Sequence, residues 1–265
     1  MDISTKNADR FTGFAETYEQ MRPQMPLYPV EVITRYLGRT PGLVIDMGCG
    51  TGLSTLIWKG RCDRIIGIEP SDDMRAIAEQ KADATTSFIK AFAHETGLDS
   101  DSADVAVCSQ SFHWMNPDLT LKEINRILKS EGVFATVDCD WPPVCDWRAE
   151  KAYKTFDDAV SRIEEKNPDL KDNFMRWSKS KHLQNIKTSG YFRYAREIVF
   201  ANTEPCNADR FIGLALSQGG LQSILKNKPG LIEPELKVFS NTIRDLFGDR
   251  KFEVDFCYRM RIGVK

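Results

Sequence analysis

The sequence has few histidines, no closely spaced cysteines and no long apolar run. Its three histidines are widely separated, and none of its seven cysteines belongs to a Cys-x-x-Cys pair. A zinc site needs clustered ligands, so we expect no metal. No segment approaches the roughly 18 apolar residues of a membrane span, and the polar N-terminus lacks the apolar stretch of a secretory signal. We therefore expect no membrane partner and a cytoplasmic protein with reduced thiols.

The sequence also lacks an excess of charge of one sign. Its 36 Lys and Arg residues face 38 Asp and Glu residues, which gives a net charge of −2. Domains that bind nucleic acid are usually strongly basic, so we expect no nucleic-acid partner. Apolar residues make up 42% of the 265 residues, as in globular chains. The length fits one large domain or a core with one elaboration.

From residue 31 to about 140, short apolar runs alternate with helical periodicity, which predicts βαβ units and a parallel sheet. We predict strands at 43–45, 65–68, 88–89, 105–108 and 133–137. Three helices are predicted between them: one after residue 52, one capped by Ser71, and one that begins at Asn116-Pro117 and has Lys129 in its last turn.

The second half of the chain has a different pattern. Residues 141–196 are rich in aromatic side chains and show little strand alternation, which predicts a mostly helical insertion. A sixth strand at 198–200, helices near 208–217 and 233–247, and a period-two strand at 252–260 are expected to follow. The last strands favour an antiparallel hairpin at the end of the sheet.

The sharpest local signal is the glycine loop Asp46-Met-Gly48-Cys-Gly50-Thr-Gly52, between a predicted strand and a predicted helix. A dinucleotide-binding loop would have its third glycine at the position of Leu53, and no Lys-Ser/Thr pair makes a Walker loop. Glu69 ends the next strand, where a carboxylate can accept both hydroxyls of a ribose. A loop that binds a nucleoside without pyrophosphate suits an adenosyl sulfonium.

These residues resemble a known family. The loop from Asp46 to Gly52, followed by Ile68-Glu-Pro-Ser71, resembles class I S-adenosylmethionine-dependent methyltransferases. Its small-molecule branch (methyltransferase type 11-like, with relatives of trans-aconitate methyltransferase) has segments similar to Tyr18-Glu-Gln-Met-Arg22-Pro23 with Tyr28-Pro29, Glu95-Thr-Gly-Leu98, and Ser109-Gln-Ser-Phe-His-Trp114. The resemblance covers roughly residues 14–140.

The resemblance implies an α/β fold with a Rossmann-like class I methyltransferase sheet, mostly parallel, with an antiparallel C-terminal hairpin and a helical lid insertion. Residues 1–140 would hold an N-terminal helix and the cofactor-binding half of the core, 141–196 the lid, and 197–265 the rest of the core. The implied activity is in-line transfer of a methyl group from S-adenosylmethionine to a small-molecule acceptor (a carboxylate, hydroxyl or thiol), with S-adenosylhomocysteine as product.

The resemblance also implies a set of cofactor-binding residues: Tyr18, Arg22, Asp46, Gly48, Gly50, Gly52, Glu69, Pro70, Ser71, Ala93, His94 and Gln110. The glycines would pass beneath the methionine part, and Glu69 would hold the ribose. Asp46 would brace the loop and approach the cofactor's amino group. Arg22 would bind its carboxylate, unless it is a surface arginine. Many relatives carry an acid at the position of Phe92, so the residue that reads adenine N6 stays open.

For catalysis, His113 is the candidate general base, with a structural turn as the alternative. Trp114, Asp138 and Trp141 are the candidate substrate residues, and Asp140 is placed as well as Asp138. The stretch Lys179-Ser-Lys-His182 would either meet an anionic substrate or form a solvated helix face.

Two other functions stay open at this point. One is a methyltransferase that acts on RNA or protein, against which the absence of an Asn-Pro-Pro-Tyr-type segment counts. The other is a catalytically silent S-adenosylmethionine-binding protein, because a fold does not guarantee chemistry. The intact glycine loop and Glu69 count against it.

Overall fold

The computed structural model describes residues 5–7, 21–171 and 175–265, with the side chain of residue 171 left aside. The strands are β1 (Leu43–Met47), β2 (Arg64–Ile68), β3 (Thr86–Ile89), β4 (Ala103–Ser109), β5 (Leu128–Cys139), β6 (Tyr194–Cys206) and β7 (Phe252–Val264). The α-helices are α1 (Tyr28–Leu37), α2 (Asp72–Glu79), α3 (Pro117–Ile127), α4 (Trp147–Lys166), α5 (Pro168–Lys171), α6 (His182–Thr188), α7 (Ala208–Leu216), α8 (Gly219–Asn227) and α9 (Glu233–Phe247).

The strands form one sheet in the order β3-β2-β1-β4-β5-β7-β6. The first five strands run parallel, whereas β7 pairs antiparallel with both β5 and β6. The predicted α/β, Rossmann-like and mostly parallel sheet with an antiparallel C-terminal pair is therefore confirmed. Because β1 lies between β2 and β4, the loops after these three strands meet at one edge of the sheet, where open α/β sheets bind ligands.

Local chemistry explains several boundaries. The Asn116 side chain accepts hydrogen bonds from the backbone N–H groups of Asp118 and Leu119, and Pro117 occupies the first helical position, so the predicted start of α3 is confirmed. The chain leaves α1 through Gly38, whose φ of +77° is a left-handed cap conformation that glycine adopts without strain.

Other details of the sequence prediction are wrong. The helix expected after residue 52 is only a 3-10 turn at Thr55–Trp58. Ser71 precedes α2, but its hydroxyl makes no capping hydrogen bond. Helix α3 ends at Ile127, so Lys129 belongs to β5, and its ammonium lies 3.2 Å from the Asp104 carboxylate.

Helices from two parts of the chain form one cap. Helix α4 packs against α8 and α9, with the Phe156 and Phe239 rings stacked at 5.0 Å. The Tyr153 ring meets the Phe211 ring of α7 edge-on at 5.9 Å. We call α4, α5, α7, α8 and α9 the helical cap; it combines the predicted insertion with the helices between β6 and β7, and α8 was not predicted.

All seven cysteines are free thiols. Cys206 is buried, and Cys257 is only partly buried. In the described ranges, no helix is both long and apolar enough to cross a membrane. The same ranges contain no cluster of three or more His, Cys, Asp or Glu side chains arranged to hold a metal ion.

Candidate active site

Two adjoining cavities open at the carboxyl edge of the parallel strands. The first cavity encloses about 1100 Å³, counting the space at its mouth. It is lined by Asn7, Arg22, Pro23, Met25, Gly48, Cys49, Gly50, Thr51, Leu53, Ser54, Glu69, Pro70, Met74, Phe92, Ala93, His94, Ser109, Gln110, Ser111, Trp114 and Met115. The second cavity, of about 920 Å³, lies under the helical cap and shares Arg22, Gln110 and Trp114 with the first.

The glycine loop forms the floor of the first cavity. Gly48 and Gly50 have φ values of +66° and +57°, which L-residues adopt at a cost. A Cβ atom on Gly48 would lie 2.6 Å from the Met115 side chain and 2.9 Å from that of Ser111. The Ser111 hydroxyl donates a 2.6 Å hydrogen bond to the Met47 carbonyl. The loop thus approaches the segment after β4 too closely for a side chain at position 48.

Asp46 braces this loop from below. It is fully buried and does not line the cavity. Its Oδ2 atom accepts hydrogen bonds of 2.7 Å from the hydroxyls of Ser54 and Thr55. Burial raises the pKa of the Asp46 carboxyl to about 6, although these two hydroxyls oppose the shift.

Glu69 joins the end of β2 to the glycine loop and lines the first cavity. One carboxylate oxygen accepts a 2.9 Å hydrogen bond from the Gly50 N–H group, and the other accepts a 2.8 Å hydrogen bond from the Ser71 N–H group. Burial raises the pKa of Glu69 to about 7, against the effect of these bonds. Each oxygen keeps acceptor capacity for a ligand hydroxyl.

Apolar side chains line the far side of the first cavity. They include Pro70, Met74, Phe92 and Ala93. The Phe92 ring stacks on that of His94 at 5.6 Å. This wall offers a flat apolar surface to a planar ring.

Two predicted cofactor residues support the loop from outside the cavity. Ser71 is 5% exposed. A Cβ atom on Gly52 would lie 3.2 Å from the Phe88 ring, so this glycine permits packing of the loop on β3. Predicted residue Tyr18 lies outside the described residues.

Arg22 lies where the two cavities join. Its Nη2 atom donates hydrogen bonds to the Ser217 carbonyl and the Gln218 side chain, at 3.0 and 3.3 Å. Its guanidinium lies 5.2 Å from the centre of the Trp141 ring. Arg22 is therefore partly buried and lines both cavities, so the alternative of a surface arginine is wrong.

Gln110 stands at the same junction in a strained backbone conformation. Its φ is +55°, which is uncommon outside glycine. Its side-chain oxygen accepts a 3.0 Å hydrogen bond from the Lys179 ammonium. Strain of this kind costs about 1–3 kcal/mol and is frequent at functional sites.

His113 lines the second cavity and is 5% exposed. Its Nδ1 atom lies 3.7 Å from Asp138 Oδ1 and has no hydrogen-bond partner among the described residues. Burial, with the nearby charge of Lys179, holds the pKa of the imidazole well below 6.5, against the opposing effect of Asp138. The ring is therefore neutral at neutral pH.

Asp138 lies behind the second cavity and lines neither cavity. It pairs with Arg261 at 2.9 Å, His182 at 3.1 Å and Lys179 at 3.2 Å. Burial alone would raise its pKa, but the His182 hydrogen bond and the Lys179 charge hold it below the usual range. Asp140 differs, because it forms a half-exposed pair with Arg259.

Of the two remaining substrate candidates, Trp141 lines the second cavity, and Trp114 lines both cavities. The sequence analysis missed Asn7, which is 4% exposed. Its side chain donates to the carbonyls of Trp114 and Met175 and accepts from the Met175 N–H group. A lone asparagine in a polar segment gives no signal of such a role.

The donors and shape of the first cavity fit an adenosyl sulfonium. Glu69 can accept hydrogen bonds from ribose hydroxyls, and the apolar wall can contact adenine. Because the glycine loop carries few side chains, a ligand can approach its backbone closely. Arg22, a cationic residue at the junction, can bind a carboxylate. The described lining residues contain no lysine aimed at phosphates.

Comparison with known proteins agrees with this geometry. Residues 45–136 match the methyltransferase domain family Methyltransf_11. The chain is 32% identical over 124 residues to the probable S-adenosylmethionine-dependent methyltransferase CRG1 of Saccharomyces cerevisiae, covering 44% of this chain and 43% of that protein. The match thus spans less than half of the yeast protein. The relation to trans-aconitate methyltransferase is not confirmed.

Two solved structures show the same fold. A candidate type II methyltransferase from Anaeromyxobacter dehalogenans has a TM-score of 0.65 at 20% identity, covering 92% of this chain and 97% of that chain. Phosphoethanolamine N-methyltransferase 2 of Haemonchus contortus, solved with S-adenosylhomocysteine, has a TM-score of 0.57 at 14% identity, covering 98% of this chain and 60% of that chain. Residues 45–136 thus match a methyltransferase domain, and the chain shares the fold of these two solved structures.

Proposed function

We propose that this chain transfers a methyl group from S-adenosylmethionine to a small molecule bound in the second cavity. The observation that carries the proposal is the junction of the two cavities at Arg22, Gln110 and Trp114. A cofactor in the first cavity and an acceptor in the second would meet there. The helical cap covers the second cavity, which favours a small molecule over RNA or a protein.

The first cavity supports specific cofactor contacts. Glu69 accepts the ribose hydroxyls, and the wall of Pro70, Met74 and Ala93 holds the adenine. The glycine loop passes beneath the methionine part, and Arg22 binds its carboxylate. Asp46 acts indirectly: it accepts hydrogen bonds from Ser54 and Thr55 and thereby fixes the glycine loop that contacts the cofactor.

The transfer step needs orientation more than chemical activation. S-adenosylmethionine supplies a methyl group that is already activated. The chain's task is to align the acceptor with that methyl group at the junction and to exclude water, and such orientation is worth up to about 7–11 kcal/mol. Gln110 and Trp114 are placed to do this, because they line both cavities.

His113 is the general base for acceptors that carry a proton. Its neutral, buried imidazole lines the second cavity, and its Nδ1 atom lies toward the Asp138 carboxylate, which leaves Nε2 to take a proton from an acceptor. A hydroxyl or thiol acceptor would give its proton to this ring, whereas a carboxylate needs no base.

The seven free thiols support a reducing compartment such as the cytoplasm.

Calorimetry and a product assay test the proposal together. We expect S-adenosylmethionine and S-adenosylhomocysteine to bind with micromolar affinity. We also expect S-adenosylhomocysteine to form with at least one member of a panel of carboxylates, phenols, thiols and amines. Absence of cofactor binding would refute the proposal. Binding with turnover only on RNA or protein would refute the small-molecule acceptor, and binding with no turnover on any acceptor would indicate a silent fold.

His113→Gln separates the base role from packing. With a phenol or thiol acceptor, the variant should lose about 10²-fold or more of kcat, the range of general-base contributions. With a carboxylate acceptor, kcat should stay within a few fold of the parent. An equal loss with both kinds of acceptor would show that His113 positions the substrate and moves no proton.

A further inference from the structure

Lys179 is largely buried, although the residues around it in the sequence predict an exposed position. It lies between two exposed residues, Ser178 and Ser180, in a stretch that reads as a solvated face. Its side chain is nevertheless only 23% exposed, and it reaches into the second cavity. The neighbouring His182 is fully buried against Asp138. The predicted solvated helix face is therefore wrong for Lys179 and His182, whereas Lys181 is exposed as that prediction requires.

The polar contacts of Lys179 place its charge at the junction of the cavities. The ammonium donates to Gln110 Oε1 at 3.0 Å and lies 3.2 Å from Asp138 Oδ1. An ammonium has three N–H donors, so these two contacts leave one for a ligand. Asp138 also pairs with Arg261 at 2.9 Å, so its negative charge is shared between two cations.

Two further cations gather at the same side of the second cavity. Arg22 is itself one of the residues that both cavities share. The Arg176 guanidinium lies 5.7 Å from the centre of the Trp114 ring, and Trp114 is also shared. Within the described residues, Arg176 forms no ion pair with a carboxylate. The acidic lining residues, Asp157 and Glu164, belong to α4 of the helical cap, and the Arg176 charge acts on the Asp157 carboxyl.

The lining of the second cavity is more polar than apolar, but one part of its wall is apolar. Trp141, Tyr153 and Phe156 line it together with Val160 and Leu221. The Trp141 and Tyr153 rings are stacked at 6.3 Å. A ligand of this cavity would therefore have a flat apolar body in addition to the group that meets the cations.

We propose that the second cavity binds a small molecule through a negatively charged oxygen group, held by Lys179 and Arg176, with an apolar ring system packed under the helical cap. Calling this molecule the methyl acceptor rests on the function proposed above; the anion site itself does not. Lys179 and Arg176 are then the residues that select for charge, and the aromatic walls select for shape.

A matched pair of fluorescent probes tests the anion site without methyl transfer. 8-Anilino-1-naphthalenesulfonate is an aromatic anion, and N-phenyl-1-naphthylamine has the same ring system without the sulfonate. Each probe is titrated with the parent protein in the presence and absence of S-adenosylhomocysteine. We expect the anion to bind at least about tenfold more tightly than the neutral probe, since hydrogen bonds to charged groups discriminate by about this factor or more.

Three variants assign the preference to particular residues. Lys179→Gln and Arg176→Gln should each weaken binding of the anionic probe by about tenfold and leave the neutral probe unchanged. The matched control is Lys181→Gln, which removes an exposed charge two residues from Lys179 and should change neither affinity. Lys179→Arg should restore most of the affinity. Circular dichroism and thermal melting verify that the variants fold, and Arg176, which is exposed, provides the test if Lys179→Gln does not fold.

The outcomes decide the proposal. Equal affinity for the two probes, no binding of the anionic probe, or loss of its affinity in Lys181→Gln as large as in Arg176→Gln would overturn it. A protein that shows the expected anion preference but binds no S-adenosylhomocysteine in calorimetry would refute the proposed methyltransferase function and leave the anion site standing. A protein that forms S-adenosylhomocysteine but binds the anionic probe no more tightly than the neutral one would refute the anion site and leave the methyltransferase function standing.

Discussion

The backbone N–H group of Gly50 donates a 2.9 Å hydrogen bond to the carboxylate of Glu69. One side chain at the end of β2 thus fixes the loop that follows β1, and it does so from inside the first cavity. Because burial raises the pKa of this carboxyl to about 7, its protonation changes within the neutral range. The proposed ribose contact should therefore depend on pH.

Glu69→Gln should weaken binding of S-adenosylmethionine by about 10- to 100-fold at pH 8, since hydrogen bonds to a charged acceptor are worth about 1.5–3 kcal/mol. In the parent, the affinity should rise as the pH increases through about 7, because the ligand hydroxyls favour the deprotonated carboxylate. The variant should show no such rise. Isothermal titration calorimetry between pH 6 and 8.5 measures both effects.

Glu79→Gln is the matched control for this experiment. Glu79 ends α2, where it forms an exposed pair with Arg75, and its loss should leave the affinity and its pH dependence unchanged. If Glu69→Gln binds as tightly as the parent at pH 8, the ribose assignment is wrong.

Gly48→Ala tests the close approach between the glycine loop and the segment after β4. The added methyl group would overlap the side chains of Met115 and Ser111, and the residue would keep an unfavourable φ of +66°. Overpacking costs about 1–3 kcal/mol, and left-handed backbone adds about 1–2 kcal/mol. We expect a loss of about 2–5 kcal/mol in the free energy of unfolding, measured with urea, and loss of cofactor binding.

Gly38→Ala is the control for Gly48→Ala, because it introduces the same backbone strain without a steric overlap of the new methyl group. Gly38 has a similar φ of +77°, but among the described residues no atom beyond its chain neighbours lies within 4 Å of the position of its Cβ. This variant should lose only about 1–2 kcal/mol and should bind the cofactor normally. Equal losses in the two variants would show that the contact with Met115 and Ser111 is not tight.

Asp46 should make the protein less stable as the pH rises. Burial raises its pKa to about 6 from an ordinary value of 3.8, so the folded state holds a proton that the unfolded state releases. The free energy of unfolding should therefore fall between pH 4 and 6, by roughly 3 kcal/mol from this residue alone. Asp46→Asn should lack this part of the fall, as measured by urea unfolding at pH 4, 5, 6 and 7.

Asp249→Asn, at an exposed position, serves as the control for Asp46 and should leave the pH profile unchanged. A profile for Asp46→Asn that is parallel to that of the parent would contradict the raised pKa.

The order of elements and much of the first cavity could be predicted from the sequence, because their signals are local. The glycine loop, Glu69 at the end of a strand and the Asn116 cap each depend on neighbours within a few residues. These signals identify the loop and the carboxylate that line the first cavity, whereas the strand order around β1 comes from the structure.

Features that depend on distant partners could not be predicted in this way. Lys179 is buried only because Asp138 and Gln110 accept from it across the fold. Nothing within its own segment distinguishes it from Lys181. Likewise, Asp138 and Asp140 are two residues apart and would share one face of a continuing strand. Strand β5 ends at Cys139, however, so Asp138 lies buried beside Arg261, whereas Asp140 follows the strand and forms a half-exposed pair with Arg259.

This last pair gives a direct test of the buried network. The Asp138 side chain is 2% exposed and compensates Arg261 and Lys179, whereas Asp140 is 43% exposed. Asp138→Asn leaves the buried Lys179 ammonium without a carboxylate partner and Arg261 with Glu197 alone, so it should cost about 3–5 kcal/mol of the free energy of unfolding at pH 7. Asp140→Asn removes a half-exposed pair and should cost less than about 1 kcal/mol.

Because the Asp138 pKa is lowered in the folded state, the contribution of Asp138 to the free energy of unfolding is present above pH 4 and is lost as the pH falls further. Urea unfolding of both variants at pH 7 measures the difference, and equal costs would mean that Asp138 stabilises the fold no more than a surface pair does.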